Sequence, residues 1–155
     1  MTSTAAVKKG SAIALLLALC ACHGAADGPG GNAHVPGDTN SNRPFAGLAP
    51  GDTIHFLGTE PFWGGEATGT VLTYTTPEKP DGAQVTVNRF AGRGGLALGG
   101  MLEGARFDMA ITEAECSDGM SDHTYPFTVT LRIGDETRQG CAWSAKHPFK
   151  GDEHP

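Results

Sequence analysis

Two stretches of this chain alternate strictly between apolar and polar residues. Phe107, Met109 and Ile111 are interleaved with Arg106, Asp108, Ala110 and Thr112; Phe127, Val129, Leu131 and Ile133 are interleaved with Thr128, Thr130 and Arg132. A period of two with one apolar face is the pattern of a half-buried antiparallel strand. Weaker versions cover residues 54–57, 68–75, 84–90, 96–102 and 137–143. No window carries the spacing of an amphipathic helix, although residues 113–120 have room for one short helical turn. The connections have turn chemistry: Pro77-Glu78-Lys79-Pro80-Asp81-Gly82, Gly92-Arg93-Gly94-Gly95, Glu103-Gly104 and Gly134-Asp135. The expected fold is all-β, a single small antiparallel meander of about seven to eight strands, closed or partly closed into a barrel.

Residues 52–147 hold this pattern and make one domain with a single modest core. Residues 22–51 are dominated by Gly, Pro, Asn, Asp and Ser, too poor in apolar side chains to offset the entropy of folding, and are expected to form a flexible tether. Residues 148–155 are expected to be a C-terminal tail. Before the tether, residues 1–21 read as a signal peptide. Lys8 and Lys9 precede the short apolar run Ile13-Ala14-Leu15-Leu16-Leu17-Ala18-Leu19, which ends in Cys20-Ala21-Cys22. The run is too short to span a bilayer and no stop-transfer pattern follows it. Ala21 gives Cys22 the small preceding residue that a lipoprotein signal peptidase requires, whereas Cys20 follows the bulky Leu19. Cys22 is therefore the expected lipidated cysteine, with Cys20 as the alternative. The expected location is the bacterial cell envelope, anchored by lipid at the outer membrane and facing the periplasm.

With Cys20 removed and Cys22 lipidated, Cys116 and Cys141 remain as an even pair in an oxidising compartment, which predicts a disulfide. The topology agrees. Cys116 lies just past strand 106–112, strand 125–133 runs back, and strand 137–143 returns, so both cysteines fall at one end of the sheet. Closing a loop of this size is worth roughly 3–4 kcal/mol on the chain-entropy model.

The net charge of −6, from 11 Lys+Arg against 17 Asp+Glu, disfavours nucleic acid and electrostatic docking to anionic lipid. Two segments could carry chemistry. Gly58-Thr59-Glu60-Pro61-Phe62-Trp63-Gly64-Gly65 places a carboxylate beside two aromatic rings at a strand end, either as walls of a binding site or with Trp63 plugging the barrel. The run from Glu113 through Cys116-Ser117-Asp118-Gly119-Met120-Ser121-Asp122-His123-Thr124-Tyr125-Pro126 crowds carboxylates, serines, a histidine and a tyrosine around the cystine. Its spacing is not that of a helix–loop–helix calcium site, and it lacks a nucleophile elbow or oxyanion motif. A loop whose Ser and Asp side chains satisfy its own backbone is the default reading. No metal and no cofactor are expected. The candidate binding residues are Glu60, Phe62, Trp63, Ser117, Asp118, Asp122 and Tyr125, with no catalytic residue among them.

Gly58-Thr59-Glu60-Pro61-Phe62-Trp63, Cys116-Ser117-Asp118-Gly119-Met120-Ser121-Asp122 with Tyr125-Pro126-Phe127, and Gly140-Cys141-Ala142 together resemble a family of small uncharacterised bacterial envelope proteins and lipoproteins. His123 stands where that resemblance implies a basic residue, often Arg. The family implies no established activity, although association with lysozyme-inhibitor-like β-domains colours the choice of partner. The expectation is a non-enzymatic, lipid-anchored binding or structural module for an envelope protein or cell-wall ligand. The alternatives are an inhibitor of a cell-wall hydrolase such as lysozyme, and a small periplasmic hydrolase using Glu60 or the Cys116–Tyr125 loop.

Overall fold

The computed structural model describes residues 43–151. The expected signal peptide, Cys20 and Cys22, and most of the expected tether lie outside these residues.

The alternation closes into an eight-stranded antiparallel barrel in simple meander order: β1 (Ile54–Thr59), β2 (Phe62–Thr68), β3 (Val71–Thr76), β4 (Lys79–Ala91), β5 (Gly95–Leu102), β6 (Ala105–Cys116), β7 (Tyr125–Ile133) and β8 (Glu136–Ser144). Closure is made by β1 against β8, where Ile54 faces Ser144 and Leu57 faces Cys141. With eight strands the interior is just wide enough for side chains to fill it. Ile54, Phe56, Leu72, Val85, Leu98, Phe107, Met109, Ile111, Phe127, Val129 and Leu131 do so, each nearly or completely buried.

The two ends are plugged differently. At one, Phe45 packs edge-on against Phe127 and Leu48 is buried. The Phe45 N–H donates to the Gly92 carbonyl, and the Arg89 guanidinium donates to the carbonyls of Leu48 and Ala49. Residues 43–51, expected in the tether, therefore belong to the folded domain; two apolar anchors and one half-buried guanidinium hold a segment whose composition is otherwise that of a linker. At the other end, Trp63 stacks on Tyr74, Tyr74 meets Phe107 edge-on, and the Tyr74 hydroxyl accepts from Arg138.

Three local expectations change. Residues 62–68 form a full strand, with Glu60 and Pro61 as the tight turn before it and a cis bond between them. The β3–β4 turn is only Pro77 and Glu78, and residues 79–82 already belong to β4. The segment from Glu113 holds no helical turn, because β6 continues to Cys116 through a register shift. The tail is docked as well: Thr124 bridges Lys150, and Phe149 packs on His123, Tyr125 and Trp143.

Candidate functional site

The β1–β2 corner and the cystine loop meet on the outside of the barrel. Cys116 and Cys141 are joined, with Cα atoms 5.6 Å apart, which fastens the end of β6 over β8. Cys141 pairs with Leu57 of β1, so the same bond brings the loop beside the corner. There the Thr59 hydroxyl donates to the Asp118 carbonyl at 3.2 Å. Between them runs a groove of about 460 Å³. Its walls are Thr59 and Glu60 on one side and Ser117 and Asp118 on the other, and Thr128, Gln139 and the cystine lie along its floor.

Each expected site residue has a definite place. Glu60 is exposed at the lip of the groove, and Ser117 and Asp118 line it. Phe62 is 53% exposed at the start of β2, paired with Thr59. Trp63 points the other way. It is 4% exposed within the barrel core and tilted against Phe56, so it is a plug rather than a groove wall. Two glycines make its space: a Cβ on Gly58 would sit 2.1 Å from the indole Nε1, and one on Gly140 would sit 2.1 Å from the Leu57 carbonyl and 2.8 Å from Trp63 Cζ2. Asp122 is exposed in the loop, outside the groove lining. Tyr125 is buried outside the barrel core, against Trp143, Phe149 and His123.

Asp118 is the organiser of the loop. Its carboxylate accepts from the backbone N–H groups of Met120 and Ser121, from the Ser121 hydroxyl at 2.8 Å and from the Tyr125 hydroxyl at 3.2 Å. Burial alone would raise its pKa, but these donors outweigh that and hold it down at about 2. Burial and the neighbouring Asp118 charge push the Tyr125 phenol up. In a catalytic triad the serine hydroxyl donates to an imidazole; here Ser121 donates to the carboxylate directly. The arrangement is that of a capped loop whose acceptors are committed to its own backbone. Among the described residues, no group of three or more His, Cys, Asp or Glu side chains is placed to hold a metal ion.

The depressed Asp118 pKa gives the loop an acid limit. The unfolded carboxyl titrates at about 3.9, so the latch contributes fully above about pH 4 and is lost as the pH falls through about 2. Pepsin cleavage between Cys116 and Tyr125 is expected to accelerate over that window. Asp118→Asn, which carries no titrating charge, should remove the acceleration that remains after division by the rate on an unstructured pepsin substrate; a normalised acid profile equal to the parent's would contradict the latch.

No known protein family, curated protein or solved structure matches this chain. The groove is therefore to be judged on its own chemistry. Its polar side chains are hydroxyls, the Gln139 amide, the ion-paired Arg138, the loop-capping Asp118 and one free-standing carboxylate at Glu60. Thr130 donates to the Gln139 side-chain oxygen, which leaves the Gln139 amide hydrogens as donors beside the floor. Such a surface offers hydrogen bonds of both kinds beside exposed carbon from Leu57, the glycines and the cystine, and suits a ligand that carries hydroxyl or amide groups together with apolar faces.

The sequence reading missed Leu57, Thr128, Thr137, Arg138 and Gln139 as groove residues. Thr128 was legible as an outward position of its strand. What could not be read was the neighbour that barrel closure supplies, since β1 and β8 lie at opposite ends of the domain in sequence.

Proposed function

We propose that this chain is a lipid-anchored protein of the bacterial envelope, facing the periplasm, that acts as a non-enzymatic binding module for a cell-wall ligand. The observation that carries this reading is the convergence of Gly58-Thr59-Glu60, Cys116-Ser117-Asp118 and Gly140-Cys141 on one groove. Those are the three blocks in which the chain resembles the envelope-protein family. Much of their wording has a structural use, in seating Trp63, closing the cystine and capping the loop. Glu60 is the exception, exposed at the lip, and it is the residue assigned to ligand contact. The anchor would keep such a module beside the wall, and its acidity would leave lipid attachment to the acyl chain.

A second reading, inhibition of a cationic wall hydrolase, is favoured by the exposed carboxylates of Glu60, Glu113, Glu115 and Asp122 on and beside the cystine loop. One experiment separates the two. Co-sedimentation of the protein with insoluble peptidoglycan should be weakened about tenfold by Glu60→Gln, the loss of one charged hydrogen bond, with no change in Tm. Equal retention of both proteins would reject Glu60 as a contact. Slowed lysis by c-type lysozyme, without sedimentation, would favour the inhibitor.

A further inference from the structure

The groove runs along a gap in the barrel's closure. Pairing between β1 and β8 joins residues 54–57 to residues 141–144 and stops there, although β1 continues to Thr59 and β8 begins at Glu136. Over residues 136–140, β8 is therefore paired on one side alone, with β7. The cause is local. β1 ends in the turn at Glu60 and Pro61, and a continued register would set Pro61, which has no N–H, opposite Thr137.

This open edge faces the groove. The Gln139 carbonyl is turned towards β1, 2.6 Å from where a Gly58 Cβ would stand. Hydrogen-bonding direction alternates along an antiparallel strand, so Thr137 aims its own N–H and C=O the same way. Thr137, Arg138, Gln139 and Gly140 all line the groove. A closed barrel normally leaves no edge, and an exposed edge invites pairing with another chain. Here Thr59 and Glu60 stand on one side and Ser117 and Asp118 on the other, and the space between them, about 460 Å³, is of the size that encloses one small ligand.

We propose that the groove takes a short, extended peptide carrying a cationic group, whose main chain pairs with β8 at Thr137 and Gln139 by strand addition. This rests on the reading of the groove as a wall-ligand site, and the part of the wall it grips is the peptide arm, not the sugar. In strand addition the main-chain hydrogen bonds supply affinity and the flanking side chains supply specificity. A peptide repeats N–H and C=O groups at the strand spacing of about 3.3 Å per residue, so the open edge suits about five residues. A sugar carries no such repeat. Charge then selects among peptides. The groove's carboxylates are Glu60 and Asp118, and its one cation, Arg138, is ion-paired with Glu136. Asp118 is committed to its own loop, which leaves Glu60 to meet an amino group on the peptide.

The test uses the isotope-labelled full-length chain in mild detergent and two probes: a sugar-free wall stem peptide with its free diamino acid, and the peptide-free wall disaccharide. The peptide should shift the Thr137 and Gln139 amides saturably and slow their hydrogen exchange; the disaccharide should leave both unmoved. Methylating the peptide's backbone nitrogens, a change that needs no protein variant, should weaken it at least about tenfold, the loss of one or more hydrogen bonds. Thr137→Pro removes one edge N–H without touching the pairing to β7, and should weaken the unmethylated peptide about tenfold. Thr137→Ala keeps that N–H and should bind as the parent does. Groove shifts with the disaccharide and none with the peptide overturn the proposal and leave the wall-ligand reading standing. Silence with both probes overturns the two together. Peptide binding that is indifferent to methylation and to Thr137→Pro overturns strand addition.

Discussion

Trp63→Ala should lower the stability of the domain by about 3–5 kcal/mol, the cost of deleting a large aromatic side chain from a packed interior. Such a loss approaches the whole margin of a small domain. The indole is 4% exposed, stacked on Tyr74 and tilted against Phe56, and two glycines are shaped around it. Its removal therefore opens the end of the barrel rather than its surface. Trp63→Phe should cost much less. The ring is largely kept, and the buried indole N–H has no hydrogen-bond partner among the described residues, so its loss leaves nothing unpaired. Urea denaturation of the three proteins measures both differences. A Trp63→Ala protein that keeps its stability but no longer binds peptidoglycan would return this side chain to the ligand face.

Replacing both cysteines by alanine should cost about 3–4 kcal/mol, from the 25-residue separation that the bond closes. For a domain of this size that corresponds to a fall in Tm of roughly 10–25 °C. The functional consequence is larger than the stability alone suggests, because the bond is also the hinge pin of the groove. It holds Ser117 and Asp118 opposite Thr59 and Glu60. Peptidoglycan retention should therefore disappear in the double variant at temperatures where the barrel remains folded by circular dichroism. Retention that survives there would show that the loop wall contributes nothing to binding.

The strands and the disulfide were legible because each rests on local information. Alternation at Phe107–Met109–Ile111 and Phe127–Val129–Leu131 marks the inward face residue by residue, and the cysteine pairing followed from strand direction. β2 was not legible, since its inward positions are Trp63, Gly65 and Ala67, too small on average to show an apolar period. The plug at residues 43–51 was hidden for a different reason: Phe45 and Leu48 are isolated apolar residues whose burial depends on Arg89, about forty positions away. Tyr125, a candidate binding residue from its place beside the cystine loop, is instead buried in a cluster with Trp143 and Phe149 that no local pattern announces. The two halves of the candidate site were each visible as unusual strings. Their meeting was not, because it depends on β1 closing against β8.

The central claim is that the β1–β2 corner at Thr59 and Glu60 and the cystine loop form one recognition groove for a cell-wall ligand. Titration of the isotope-labelled protein with soluble peptidoglycan fragments, followed by amide chemical shifts, tests it most directly. The account predicts saturable shifts at Gly58, Thr59, Glu60, Ser117, Asp118 and Gln139, with Val71 and Phe90 unmoved. Shifts confined to other faces of the barrel, or none at all at millimolar fragment, would contradict it.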